Sequence, residues 1–366
     1  MSNSFPGKGG KLFAVYGADP AEMAKQLMTA AGVIEAIPAG ARISLKPNLV
    51  VGRPAAGGAT THPEILAGII EWLFDHGRKE VDIIEGSWLG DDTGRAFAAC
   101  GMNDLGKRYG VRLHDLKRDS ATAVDTPAGK MHICDRALAA DFLINLPVLK
   151  GHCQTRMTCV LKNMKGCITD AEKRRFHREG LDQCIAALAT AIVPHVSIVD
   201  GICGDLDFEE GGTPVQADRM LLGADPVKLD SYASTLMGLA PTQVGYLPLA
   251  AEYGVGEMGW EESDLVELNR PVIASAGRAS GKMQSLGKYA KADQACSACY
   301  ANLIHALKRL EERGGLRQPP PIHIGQGWKG KELQGVGIGL CCRKAAKNIP
   351  GCPPTALAIA EALAGA

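Results

Sequence analysis

Five thiols stand in the C-terminal stretch of the chain. Cys296 and Cys299 form a Cys-x-x-Cys pair, Cys341 and Cys342 are adjacent, and Cys352 lies in a Pro-Gly-Cys-Pro-Pro turn. Two clustered thiols, with others brought back by an intervening α/β segment, make a four-sulfur cage. Such a cage suits a [4Fe–4S] cluster or a structural zinc ion. Zinc ribbons usually present two Cys-x-x-Cys knuckles and this chain has one, which favours the cluster. Cys296, Cys299 and Cys352 take three places, and Cys341 and Cys342 compete for the fourth. The Gly-x-Cys order leans to Cys341, and Cys342 stays open. Gly351 permits a tight turn, and Pro353 is expected to open the last helix. Cys352 would then sit near a helix N-terminus, where the dipole stabilises thiolate.

A second set lies between Leu146 and His177. Lys150, Arg156, Lys162, Lys165, Lys173, Arg174 and Arg175 crowd a short span with few acids. Thr155 and Thr158 add hydroxyls. Residues 157–164 are expected to be helical, with Thr158 and Lys162 one turn apart on one face. A bound phosphate or carboxylate would satisfy this arrangement. A solvated basic helix is the alternative, but Val160, Leu161 and Met164 require close packing. Outside this block, Lys46, Asn48, Glu85 and Asp200 also follow apolar runs, as Lys150 and His152 do. His62, His152 and His177 sit in polar blocks and suit general acid–base work near neutral pH. The candidate catalytic residues are therefore Lys150, His152, His62 and His177. The candidate substrate-binding residues are Lys46, Asn48, Glu85, Thr155, Lys162, Asn163 and Asp200.

These residues need elements to position them. Short apolar runs at 12–16, 41–45, 81–84, 142–146 and 196–199 read as strands. Helical patterns at 20–31 and 63–75 alternate with them, the latter with Pro63 at its first position. Asp225-Pro226 reads as an N-cap and first residue of a helix through Met237, and Asp230 inside it could face solvent or the cleft. Strands alternating with helices mean βα units and a mainly parallel sheet, whose ligands bind beyond the strands' carboxyl ends. Residues 270–294 are Gly-, Ser- and Lys-rich and read as a linker region. Beyond it, a helix at 300–312, a strand at 321–324 and a helix at 355–363 frame the thiols. The expected fold is α/β: a large domain over 1–275 with a mainly parallel sheet, then a small α/β iron–sulfur domain over 276–366.

Composition sets outer limits. The chain has 366 residues, with Lys plus Arg and Asp plus Glu at 40 each, which gives no support for nucleic-acid or anionic-membrane binding. The N-terminus lacks the apolar core of a signal peptide, and the apolar run from Cys184 to Val193 is too short to span a bilayer. A soluble, cytoplasmic protein is expected. Twelve cysteines in such a compartment point to ligation or packing, not to a disulfide framework. Cys153, Cys159 and Cys167 match no ferredoxin spacing. They read as small buried thiols, with a second cluster involving Cys184 or Cys203 as the alternative. Cys100 and Cys134 read as packing residues, as do Cys184 and Cys203 themselves.

Leu-Pro-Val-Leu-Lys-Gly-His from Leu146 and Leu161-Lys162-Asn163-Met164 resemble domain-of-unknown-function family 362. Lys46-Pro47-Asn48-Leu49, His62-Pro63-Glu64, Glu85-Gly86-Ser87, Val199-Asp200-Gly201 and Gly223-Ala224-Asp225-Pro226 fit the same family in the same order. The resemblance covers residues 40–260. It implies an α/β fold, iron–sulfur ligands and an anaerobic setting more firmly than a particular reaction. The turn at Glu209-Glu210-Gly211-Gly212 departs from the family's tighter acidic turn. The Pro-Gly-Cys-Pro-Pro loop is similar to the cluster loop in the small subunit of complex I and hydrogenases, which implies a [4Fe–4S] ligand at Cys352. The leading expectation is an iron–sulfur oxidoreductase or electron-transfer protein acting on a small anionic substrate. A redox partner protein and an optional homodimer go with it. The alternatives are a non-redox isomerase or racemase with Lys and His proton chemistry, loosely similar to lactate-racemase-like enzymes, and a binding protein with a structural metal.

Overall fold

The protein is represented by a computed structural model that describes residues 10–270, 282–314 and 319–364. The chain divides into two compact units. Met1–Glu172 joins Asp182–Arg278 in the first, and Lys173–Leu181 joins Ala279–Ala366 in the second. The expected boundary at 275/276 lies outside the described residues.

The first unit is built on an eight-stranded sheet. Its strands in chain order are β1 (Leu12–Tyr16), β2 (Ile43–Pro47), β3 (Val81–Glu85), β4 (Arg112–Asp115), β5 (Phe142–Leu146), β6 (Val196–Asp205), β7 (Pro214–Gly223) and β8 (Leu265–Glu267). Their order across the sheet is β8-β1-β7-β6-β5-β2-β3-β4. Only β7 runs antiparallel to its neighbours β1 and β6, and the other pairs are parallel. The central strands β2 and β5 are buried along their whole length, because helices and loops cover both faces of a parallel sheet.

Helix Pro63–Asp75 starts at Pro63 as expected and buries Ile65, Leu66, Ile69, Ile70 and Leu73. Helix Pro20–Ala30, capped by Asp19, buries Met23, Ala24, Leu27 and Met28 in the same core. This apolar stripe is what fixes the carboxyl ends of β2 and β3.

Three local expectations are corrected. Strand β6 does not end at Val199 but runs ten residues, because its antiparallel partner β7 continues the ladder, and Asp200 therefore lies inside the strand. Strand β2 runs two residues later than expected, since Lys46 and Pro47 pair with Asn145 and Leu146 of β5. Residues 157–164 are not one helix. Lys150–His152 and Arg156–Thr158 form a short antiparallel hairpin, and only Val160–Asn163 is α-helical. The Asp230 carboxylate accepts the N–H groups of Val160 at 2.7 Å and Leu161 at 3.0 Å, so the helix starts there.

The second unit has four parallel strands: β9 (Ala290–Ala292), β10 (Ile322–Ile324), β11 (Leu333–Ile338) and β12 (Ala345–Ile349), adjacent in that order. Helices Ser297–Glu312 and Ala356–Ala364 bury Leu303, Ile304, Leu307, Ile359 and Leu363. The expected linker 270–294 is ordered structure in part. Residues 271–281 lie outside the described residues, but Lys282–Gly287 is helical and β9 joins the sheet through β10. The last helix begins at Ala356 and not at Pro353. A residue before proline is disfavoured in the α region, so Pro353 and Pro354 hold their predecessors out of the helix. Cys352 therefore stands in the turn before the helix. Among the described residues, no helix is long and apolar enough to cross a membrane.

Candidate functional site

The first unit gathers a buried polar nest at the carboxyl ends of β2, β3 and β5. Lys46, at the end of β2, is fully buried, and its Nζ lies 3.1 Å from both Glu85 carboxylate oxygens at the end of β3. The same carboxylate accepts the N–H groups of Leu49 at 3.1 Å and Gly86 at 2.7 Å. Gly166 closes this pair from above. A Cβ there would stand 2.1 Å from Glu85 Oε1 and 2.6 Å from Lys46 Nζ, so only glycine lets the backbone approach.

Lys150 follows β5 and is also fully buried. Its ammonium donates to Asn48 Oδ1 at 3.2 Å, to the Glu209 carbonyl at 2.9 Å, and to the Ala59 carbonyl. Three acceptors match the three N–H donors of an ammonium, and all three are neutral. Burial pulls the Lys150 pKa down to about 7, with Lys162 adding to the fall and Glu209 opposing it.

His152 lies one hairpin turn further on. Its Nδ1 accepts from the backbone N–H groups of Gln154 at 3.1 Å and Thr155 at 3.0 Å, which assigns the proton to Nε2. Nε2 faces Glu209 Oε2 at 3.1 Å. Burial first, then the charge of Lys162, lowers the His152 pKa to about 4, so the ring is neutral. Lys162 Nζ donates to Glu209 Oε1 at 2.6 Å and to Thr158 Oγ1 at 3.0 Å. Burial would raise the Glu209 pKa, but Lys162, His152 and Lys150 hold it well below the ordinary value. Glu209 is thus the anionic centre on which Lys162 and His152 converge.

The remaining members support these. Asn163 donates to Asn145 Oδ1 at 2.7 Å, and the Asn48 N–H donates to Thr61 Oγ1 at 2.8 Å. Thr155 Oγ1 lies 2.9 Å from His152 Nδ1. Asp230 is fully buried, and burial raises its pKa to about 6 against the two backbone N–H bonds. His62 precedes helix Pro63–Asp75, and Asp200 accepts both its N–H, at 2.9 Å, and its ring Nδ1–H, at 2.8 Å. Burial would lower the His62 pKa, but Asp200 and Cys203 together lift it to about 10. Ten of the eleven candidate catalytic and binding residues thus lie in the first unit, nearly all buried. His177 belongs to the 173–181 segment of the second unit. Sequence reasoning missed Glu209 as a central group. Its signal is the acidic turn at 209–212, whose departure from the family's tighter turn leaves the acidic position open in the sequence.

The second unit holds the thiols. Cys296, Cys299, Cys341 and Cys352 line one pocket, with Gly325, Gly339 and Gly351 in its wall. Cys342 is buried beside it and points its Sγ toward the Gly325 carbonyl at 4.0 Å. The loop is tied by Gly339 N–H to the Ile349 carbonyl at 2.8 Å and Leu340 N–H to the Gly351 carbonyl at 3.1 Å. Gly351 has φ +133°, where a side chain would strike Pro354. Burial, then the charges of Cys296, Cys352 and Cys341, drives the Cys299 pKa well above its ordinary value. Among the described residues, no three His, Cys, Asp or Glu side chains converge closely enough to hold a single metal ion.

Three known proteins share part of their sequence or backbone with this chain. A thylakoid-associated protein of Synechocystis sp. is 29% identical over 238 residues, covering 58% of this chain and 71% of its own. A crystal structure of a Thermotoga maritima protein aligns with TM-score 0.41 at 12% identity, covering 64% of this chain and 60% of that one. The lactate racemase apoprotein of Thermoanaerobacterium thermosaccharolyticum aligns with TM-score 0.38 at 14% identity, covering 62% of this chain and 57% of that one. This chain therefore spans under two thirds of either solved chain. The family described as Domain of unknown function (DUF362) matches residues 43–235, the stretch that carries β2 through helix Pro226–Leu236 and the whole polar nest, and the chain belongs to that family.

Proposed function

We propose that the protein is a [4Fe–4S] iron–sulfur protein, an oxidoreductase or electron-transfer protein acting on a small anionic substrate. The observation that carries this reading is the shared pocket lined by Cys296, Cys299, Cys341 and Cys352. Around a single zinc ion, four thiolates sit about 3.8 Å apart. A cubane takes one sulfur at each iron, so four thiols lining one pocket could each serve one iron. Cys341 is the fourth ligand on this reading, because Cys342 is buried outside the pocket lining. When bound, the cluster would supply one-electron transfer. Burial, and after it the neighbouring thiols, raise the Cys299 pKa, and a bound iron core would offset both by stabilising thiolate.

In the first unit, the residues would bind and protonate. Lys150, whose three N–H groups already have neutral acceptors, would act on the anion through its positive potential when protonated and not through a direct hydrogen bond. His152 and Glu209 would hold and relay a proton, while Lys46 and Glu85 keep the ends of β2 and β3 together. Anaerobic purification with iron and sulfide analysis tests the cofactor. The expected result is about four irons in the wild type and in Cys342→Ser, with Cys341→Ser and Cys352→Ser losing most of the iron. A colourless protein with one zinc ion would sink the reading.

A second reading is a non-redox isomerase or racemase. It is favoured by Lys150, a buried amine brought toward neutral pH beside a neutral His152. It predicts exchange of the carbon-bound proton of a 2-hydroxy acid with solvent deuterium, without reduction of any cluster. Lys150→Met should abolish that exchange.

A further inference from the structure

We infer that Cys203, His62 and Asp200 form a nucleophilic triad that accepts an acyl group from a small activated ester or thioester. Cys203 Sγ lies 3.9 Å from His62 Nε2, and His62 Nδ1 lies 2.8 Å from Asp200 Oδ2. This is the order of nucleophile, imidazole and orienting carboxylate used by one widespread class of acyl-transfer sites. The inference needs no cofactor and does not depend on the function proposed above.

The backbone is shaped for this contact. Asp200 and Cys203 are three residues apart on β6, and in a regular strand they would face opposite sides of the sheet. The ladder between β6 and β7 shifts register between Gly201 and Cys203. Such a bulge turns the following side chain to the other face, so both residues meet the same imidazole. Asp200 Oδ1 accepts the Ile202 N–H at 3.2 Å, which ties the carboxylate to the bulge itself. Asp200 also takes the His62 backbone N–H at 2.9 Å, so the ring and its main chain are held by one group. Asp200 and Cys203 are the titratable groups that act most strongly on the His62 ring. The His62 side chain keeps 15% of its surface open, and Cys203 keeps 4%. In the resting state Sγ also lies 3.5 Å from the Ala55 carbonyl, so the thiol must turn from that carbonyl to the ring before it attacks.

The step balances within the triad. Nε2 takes the Sγ proton as the sulfur electron pair forms the S–C bond to the acyl carbon, the bond from that carbon to the leaving group breaks, and Nε2–H then gives that same proton to the leaving group. The product is an S-acyl Cys203 and a neutral His62, and water can later release the acid. Asp200 is a positioning residue, since it touches only the imidazole and the backbone.

The test uses the full chain, purified anaerobically, with p-nitrophenyl acetate as the probe and peptide mass spectrometry to locate the acetyl group. At pH 7, Cys203 should be acetylated at least about tenfold faster than N-acetylcysteine, and His62→Gln should slow it by about a hundredfold. A wild-type rate at Cys203 less than tenfold above that of N-acetylcysteine overturns the inference, whatever the variant does. So does a folded His62→Gln protein that acetylates Cys203 at the wild-type rate.

Discussion

At the scale of single residues, the polar nest is governed by charge taken out of water. Glu209 is buried, and it is the anion facing both Lys162 and His152. Removing one partner of a buried pair strands the other, at a cost of about 3–5 kcal/mol. Glu209→Gln should therefore lower stability by that amount in urea unfolding. Lys162→Met in the Gln background should recover part of the loss, and a purely additive double variant would contradict the pairing. Lys150 gives a pH signature. Its folded pKa, about 7, lies below the ordinary 10.5, so between these values the unfolded chain holds a proton that the folded chain has released. Stability from this group is complete above the unfolded value and is lost as pH falls through the folded one. Across that window it rises by up to about 1.4 kcal/mol per pH unit. Lys150→Met should flatten the rise between pH 7.5 and pH 9.5 (values chosen for the measurement, roughly inside the window), and equal slopes in both proteins would refute it.

At the scale of elements, close backbone approach and local anchoring decide where side chains meet. The 3-10 turn Met164–Cys167, which carries Gly166, passes directly over the Lys46–Glu85 pair. Gly166→Ala must displace either that pair or the turn, and overpacking of this kind costs about 1–3 kcal/mol. A melting temperature unchanged from wild type would show that the turn yields freely. Helix Val160–Asn163 is too short to stand alone. It exists because Asp230, from helix Pro226–Leu236, takes its first N–H groups. That anchor places Lys162 against Glu209 and Thr158, although Thr158 lies in a strand and not on the same helix.

At the scale of the whole molecule, each unit has its own sheet and its own buried residues, so thermal unfolding should show two transitions. Cluster binding would act on one of them, because ligation stabilises only the unit that supplies the thiols. Cys352→Ser should lower one transition by several degrees, about 4–8 °C for each kcal/mol in a unit of this size, and leave the other in place. Calorimetry of the wild type and the variant reads this directly. A shift of both transitions by the same amount would contradict independent units.

The sequence by itself determined the alternation of strands and helices, the Pro63 and Asp225 helix starts, and the placing of Lys46, Asn48 and Glu85 at or just past the carboxyl ends of strands. These follow from apolar periodicity and cap chemistry, which are local and therefore legible in a linear string. The tertiary structure decided what those side chains touch. Glu209 comes to Lys162 and His152 from a distant turn whose spacing carries no period. Asp200 lies within a strand because β7 extends it, and a bulge brings Cys203 round to His62. Cys341 and Cys342 are neighbours in sequence, yet only Cys341 lines the pocket with Cys296, Cys299 and Cys352. Such contacts depend on pairing between residues far apart in the chain and on backbone turns of a few degrees of freedom. No one-dimensional pattern encodes either of these.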